Sequence, residues 1–267
     1  MGFLENNGRL TLISGPCALE SYESAVHVAA TMGKITQKLG IDYYFKASID
    51  KANRTGTGHF RGLGFREGLA TLARIKQETG LRVVTDIHEP WQAKEVAEVA
   101  DIVQIPAFLC RQTDLLQAAA DTGKILNVKK AQFMSPEEIG KVGRKIVSMG
   151  NERVILCERG NAFGYNNLVV DMAGLVRLKK SGFPVAFDAT HSVQISGGGQ
   201  DSSNSGASEY VPCLAKAALA TGAVDVLFME THADPQSALC DGSCMVRLSE
   251  MEALLDMCLK IFNLQRG

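Results

Sequence analysis

No excess of charge of either sign marks this chain. Its 28 Lys and Arg stand against 29 Asp and Glu, a net charge of −1. No bulk basic field therefore points to nucleic acid, and no acidic excess points to disorder. Long hydrophobic runs are missing too. No stretch of roughly 18 apolar residues is there to span a membrane. The opening MGFLENNGRL has neither the cationic start nor the apolar core of a signal peptide. Asn7 stands where a myristoylation signal needs Ser or Thr. Cysteine is present without a framework: seven of them, an odd number with no tight spacing, in a chain long enough to build its core unaided. They read as reduced thiols in a cytoplasmic protein. Linkers and low-complexity breaks are absent, so residues 1–267 read as one domain.

What is there is alternation. Apolar, β-branched runs occur at Leu10–Ser14, Tyr43–Ala47, Arg82–Thr85, Ile102–Ile105, Ile125–Val128, Val154–Cys157, Val185–Phe187 and Val224–Met229. Helical periodicity fills the intervals at Ser24–Leu39, Phe65–Glu78, Trp91–Ala100, Thr113–Thr122, Pro136–Met149, Leu168–Lys180, Tyr210–Thr221 and Leu248–Phe262. Gly40 and Gly80 follow two of these as helix stops, and Ser135-Pro136-Glu137-Glu138 reads as a cap, a first-turn proline and first-turn acids. Repeated βα units mean a parallel sheet, and about eight of them in roughly 250 residues fit a single (β/α)8 TIM barrel. An open doubly wound sheet is the alternative, weakened because no Rossmann-type glycine fingerprint follows the first strand. The Gly/Ser-rich Ser196–Gly206 reads as a mobile loop.

In a barrel the strand ends carry the chemistry. Here they are polar. Lys46, Lys51, Arg54, Lys129 and Arg159 would converge on one rim from three strands. Like charges repel, so such a ring needs anions inside it, and phosphate and carboxylate are the obvious ones. A second set is Cys17, His191, Glu230 and Asp241, after strands one, seven and eight, which adjoin in a closed barrel. A thiolate, an imidazole and two carboxylates suit Zn(II), Fe(II) or Mn(II). Cys240 and Cys244 flank Asp241 in CDGSC and compete as ligands. Cys110, Cys157, Cys213 and Cys258 sit in apolar runs as core residues, and His27 is a surface residue on a helix.

These motifs resemble those of the 3-deoxy-D-manno-octulosonate 8-phosphate synthases. They are FKASIDKANR (Phe45–Arg54), PAFLCRQTD (Pro106–Asp114), NVKK (Asn127–Lys130), CERG with FGYNNLVVDM (Cys157–Met172), DATHSVQ (Asp188–Gln194) and METH followed by CDG (Met229–Gly242). The resemblance spans nearly the whole chain. It implies a (β/α)8 barrel assembled as a homotetramer, a transferase that condenses phosphoenolpyruvate with D-arabinose 5-phosphate and water. The products are phosphate and an early precursor of the Kdo sugar of lipopolysaccharide. Carried over by motif, Lys46, Lys129 and Arg159 would hold phosphoenolpyruvate, with Gln104 and Ala107 beside them. Lys51, Asn53, Arg54 and Thr55 would contact the sugar phosphate, and Arg111 would be lent to it by a neighbouring subunit. Asp86 and His88 would line the space between the substrates. Cys17, His191, Glu230 and Asp241 match the metal quartet of the metal-dependent branch, whose counterparts in the other branch have Asn at the Cys17 position.

One departure is KANRTG, Lys51 to Gly56, where the family reads KANRSS. It bears on the affinity for the acceptor sugar. The related synthase of the shikimate pathway has a KPRT-type motif instead, and Ala52-Asn53 argues against it. A non-catalytic sugar-phosphate sensor would be expected to have lost a ligand or a catalytic lysine, and none of the charged site residues is missing.

Overall fold

The computed structural model describes residue 4 and residues 8–54, 56–164, 167–195 and 206–267. Its strands are β1 (Thr11–Gly15), β2 (Asp42–Lys46), β3 (Arg82–Asp86), β4 (Ile102–Ile105), β5 (Ile125–Lys129), β6 (Val154–Glu158), β7 (Val185–Asp188) and β8 (Val226–His232). Each pairs in parallel with the next. β8 then returns to β1, with Thr11 opposite Val226 and Gly15 opposite Glu230. This last pairing closes the sheet and excludes the open doubly wound alternative. The helices are α1 (Tyr22–Leu39), α2 (Phe65–Thr79), α3 (Gln92–Val99), α4 (Thr113–Asp121), α5 (Pro136–Ser148), α6 (Met172–Lys179), α7 (Val211–Ala220) and α8 (Met251–Arg266). No helix among the described residues is long and apolar enough to cross a membrane.

The strands read as unbroken apolar runs because both of their faces are buried. Ile13, Tyr44, Val84, Ile102, Ile125, Ile155, Ala186 and Val226 cluster inside the barrel, with Leu4 among them. Their neighbours Leu12, Phe45, Val83, Val103, Leu126, Leu156, Phe187 and Leu227 belong to a separate layer that packs against the helices. Side chains alternate along a strand. The register of the inner cluster therefore fixes which later residues face the barrel mouth.

The capping expectations hold. Ser135 accepts from the Glu138 amide at 3.2 Å while Glu138 accepts from the Ser135 amide at 2.9 Å, a reciprocal box that satisfies two otherwise free donors. Gly40 and Gly80 end α1 and α2, each at φ 68°, where a side chain would be strained.

Two expectations need correction. The sixth helix does not begin at Leu168: Leu168–Val169 pairs antiparallel with Asn161–Ala162. The Asp171 carboxylate then accepts from the Gly174 amide at 3.0 Å and starts α6. An N-cap residue fixes where the helix begins, and the apolar pair before it goes to the hairpin. Cys213 is exposed, not core, because it lies on the outward face of α7 while Val211, Ala215 and Ala218 take the inner one. His27 is exposed as expected. Thr55 and residues 196–205 of the glycine-rich stretch lie outside the described residues.

Candidate active site

Strand alternation builds the site. Two or four residues beyond the inward apolar ones, in the same phase, stand Cys17, Lys46, Asp86, Gln104, Lys129, Arg159, Asp188 and Glu230. All eight are buried. The barrel interior is thus hydrocarbon below and mostly polar or ionic above, and the change occurs within one or two steps of the pleat.

Lys46 is 1% exposed and its ammonium donates to Glu230 Oε1 at 2.9 Å, Ser48 Oγ at 3.0 Å and the Cys17 carbonyl at 3.2 Å. Lys129 donates to Asp188 Oδ2 and sits 3.2 Å from the Phe228 ring centre. Arg159 reaches Gln194 Oε1 at 2.8 Å. Gln104 accepts from Asn127 Nδ2 at 3.0 Å, and Ala107 is buried in the short turn that follows β4. Burial and the nearby Lys46 hold the Lys51 pKa below its ordinary value. The carboxyls of Asp86, Asp188 and Glu230 are held below the ordinary carboxylate range by the cations around them. Burial alone would raise Glu230, yet the charges of His191, Lys46 and Lys51 bring it to about 2.

Several buried polar atoms have no protein partner: Arg54 Nη2, Asp86 Oδ1, His88 Nδ1 and Glu230 Oε2. Native interiors rarely leave such atoms unpaired. These four belong to residues at the mouth of the barrel, where a ligand would satisfy them; Asp42 Oδ2 and Ser181 Oγ, elsewhere in the fold, are unpaired as well.

The metal candidates form two groups that share Asp241: His191 with Glu230 and Asp241, and Cys17 with Cys240 and Asp241. His191 Nε2 lies 3.5 Å from Glu230 Oε2 and 3.9 Å from Asp241 Oδ2. Its Nδ1 meets Asp188 Oδ2 at 2.8 Å. Asp188 accepts a hydrogen bond from Nδ1, and Nε2 faces the two further carboxylates. Carboxylates on both sides of one imidazole suit a bound cation, and the unpartnered Glu230 Oε2 is in place for it. Asp241 is the single non-glycine residue at positive φ, 48°, among the described residues. Asp tolerates this conformation better than most residues.

Cys17 and Cys240 are joined as a disulfide, with Cα atoms 6.0 Å apart. This corrects the reading of all seven cysteines as reduced thiols. They are 223 residues apart in sequence, and only the β1–β8 closure brings their loops together. Cys17 Sγ lies 3.3 Å from Asp241 Oδ2. The expectation of a thiolate ligand at Cys17 therefore applies to the reduced chain.

Residues 4–264 match the profile of the DAHP synthetase I family. The chain belongs to this family. Curated relatives called 2-dehydro-3-deoxyphosphooctonate aldolase are similar to it over most of its length. One from Synechococcus is 54% identical over 252 residues, 94% of this chain and 88% of the relative. One from Geobacter is 52% identical over 246 residues, 92% and 89% of the two chains. One from Fusobacterium nucleatum is 49% identical over 259 residues, 97% and 92%.

For this DAHP synthetase I family chain the structure brings together most of the candidates read from the sequence, but not all. Asn53 and Arg111 are exposed, without a side-chain hydrogen bond or ion pair among the described residues. Arg54 Nη1 lies 3.6 Å from Asp241 Oδ1, which links the KANR loop to the metal candidates. Sequence reasoning left Asp188 and Gln194 without roles, although both lie in DATHSVQ. Asp188 is fully buried between Lys129 and His191, and its position in phase with Ala186 was the signal that could have found it.

Proposed function

We propose that this chain condenses phosphoenolpyruvate with D-arabinose 5-phosphate and water. The products are 3-deoxy-D-manno-octulosonate 8-phosphate and inorganic phosphate, an early step towards Kdo and lipopolysaccharide. The observation that carries this reading is the inward phase of Lys46, Lys129 and Arg159, each buried at the mouth of the barrel. Three buried cations around one opening suit a small substrate with a phosphate and a carboxylate. The name of the relatives describes a phosphorylated 2-keto-3-deoxy sugar acid, which is the product this condensation gives.

In this reading the enol carbon attacks the open-chain aldehyde, water adds at C2, and phosphate leaves by C–O cleavage. Lys46, Lys129 and Arg159 grip the enol phosphate and stabilise the charge that develops. Gln104 and Ala107 line that half of the site. Lys51, Asn53, Arg54 and Thr55 take the sugar phosphate. Asp86 and His88, with unpartnered Oδ1 and Nδ1 atoms, face the space between the two substrates and orient the aldehyde and the water. Cys17 in its reduced form, His191, Glu230 and Asp241 would hold a divalent ion, Zn(II), Fe(II) or Mn(II), which supplies electrophilic polarisation or a template. The four donors suit any of the three.

Residues 1–267 act as one catalytic unit in the cytoplasm. They assemble as a homo-oligomer, a tetramer in which Arg111 reaches the neighbour's sugar phosphate. Exposed Phe108, Phe133 and Phe163, at 61%, 69% and 66%, stand on the loops after β4, β5 and β6. Large apolar side chains grouped at one end of a barrel favour burial against another chain.

The test is phosphate release from phosphoenolpyruvate with each of two acceptors. Arabinose 5-phosphate should give the higher specificity constant. Equal constants with erythrose 4-phosphate would remove the assignment and leave a shikimate-type synthase. No turnover with either would leave a sugar-phosphate sensor.

A further inference from the structure

Lys130 is the residue after Lys129, so it points out of phase with the site. It is fully buried, 0% exposed. Its ammonium has three protons to give. It shares them among four acceptors, the carbonyls of Ala131 at 3.2 Å, Met134 at 3.1 Å and Gly160 at 3.3 Å, and Asn161 Oδ1. Glu158 Oε1 lies 3.4 Å away. Glu158 is also out of phase, one residue before Arg159. Its Oε1 accepts from the Arg159 amide at 3.0 Å and from the Gly160 amide at 2.6 Å. Gly160 has φ 87°, which turns the chain at once after Arg159.

The two charges therefore lie beside the substrate site and not in it. Desolvating an ammonium is costly, and burial lowers the Lys130 pKa. Apolar side chains fill the rest of this strand–helix layer, where Leu126, Val128 and Leu156 are packed. What the buried pair provides is connection. One ammonium ties the loop after β5, which follows Lys129, to the turn that aims Arg159. A further tie between the same loops is Ala162 N–H to the Gln132 carbonyl, 3.0 Å.

We infer that Lys130 is a positioning residue: through Glu158 and the Gly160 turn it sets Arg159 relative to Lys129, and so sets the grip on the enol phosphate substrate. This rests on the reading of Lys129 and Arg159 given above. A 1 Å error in placing such groups is costly in affinity and rate.

The experiment measures phosphoenolpyruvate binding by calorimetry, with steady-state constants for both substrates. Wild type, Lys130→Met, Arg159→Ala and the double variant are compared. Lys130→Met is expected to weaken phosphoenolpyruvate at least about tenfold while the KM for arabinose 5-phosphate moves less than about threefold. The double variant should bind within about twofold of Arg159→Ala, since Lys130 acts through that arginine. Additive losses in the double variant, or a folded Lys130→Met that binds like wild type, overturn the inference. So does an equal rise in both KM values. If Lys130→Met does not fold, Glu158→Gln, which keeps the shape but removes the ion pair, is judged by the same criteria. A wild type that binds no phosphoenolpyruvate sinks the reading of the site, and the inference falls with it. A wild type that binds while the variants are additive sinks the inference alone.

Discussion

Asp86 and His88 show how a single pair can be read through pH. Burial would raise the Asp86 pKa, but the hydrogen bond and charge of His88, with Lys46 and Lys51 behind, hold it well below its usual 3.8. Burial would lower His88, yet Asp86 at 3.3 Å raises it above its usual 6.5. A depressed carboxylate stabilises the fold above 3.8 and loses that contribution as pH falls. A raised imidazole stabilises below 6.5 and loses it as pH rises through the folded value. The pair therefore contributes most between these two limits. Urea unfolding of wild type and His88→Gln, from about pH 3 to about pH 9, should show the largest difference inside that window. A gap that stays constant across the range would mean that charge plays no part. Cys17 gives a second prediction at this scale. The reduced chain should take up a divalent ion and the Cys17–Cys240 disulfide form should take up far less, because a disulfide sulfur offers no thiolate. Metal analysis before and after reduction tests it. Cys17→Ala should lose metal even when reduced. Cys17→Asn should retain some activity that a strong chelator cannot remove.

At the scale of the element, the end of β1 is tightly constrained. A Cβ on Gly15 would lie 2.1 Å from the Lys46 carbonyl oxygen and 3.0 Å from the Phe45 ring. The glycine is there so that β1 can lie against β2 where Pro16 and Cys17 leave the sheet. Gly15→Ala should destabilise by about 2 kcal/mol or more, measured by denaturant unfolding, since backbone on both sides must shift. Substrate affinity should fall as well, because Lys46 is the residue displaced. An unchanged midpoint would show that the two strands can separate at no cost. Most other elements were legible in the sequence to within a residue or two, because apolar periodicity and caps are local signals; β8 runs three residues beyond its expected end, to His232, and α8 starts three residues late, at Met251, and runs on to Arg266. The hairpin of Asn161–Ala162 and Leu168–Val169 was not. Two-residue strands have too little pattern to be seen, and the run Leu168–Val170 continued smoothly into a helical stretch.

At the scale of the whole molecule the question is whether one chain makes a complete site. Arg111 is exposed, beyond the turn that carries Phe108. Arg111→Ala should raise the KM for the sugar phosphate at least about tenfold, since a charge-assisted phosphate contact is worth roughly 1.5–3 kcal/mol. Mixed with Lys129→Ala under conditions that exchange subunits, it should recover part of the activity. Verified hybrids that stay inactive would place the whole site within one chain.

The sequence by itself determined the alternation of strands and helices, their caps, and the polar residues that end each strand. These follow from neighbours along the chain. It also contained the phase that separates Lys129 from Lys130 and Glu158 from Arg159, though a rim of charges looks uniform until an inner cluster fixes which face is which. Only the tertiary structure decided that the sheet closes, with Gly15 opposite Glu230. It alone paired Cys17 with Cys240, set Asp188 between Lys129 and His191, and buried Lys130 against Glu158 beside the site. Such contacts join residues far apart in sequence. They exist because eight strands sharing one axis bring every strand end to the same opening.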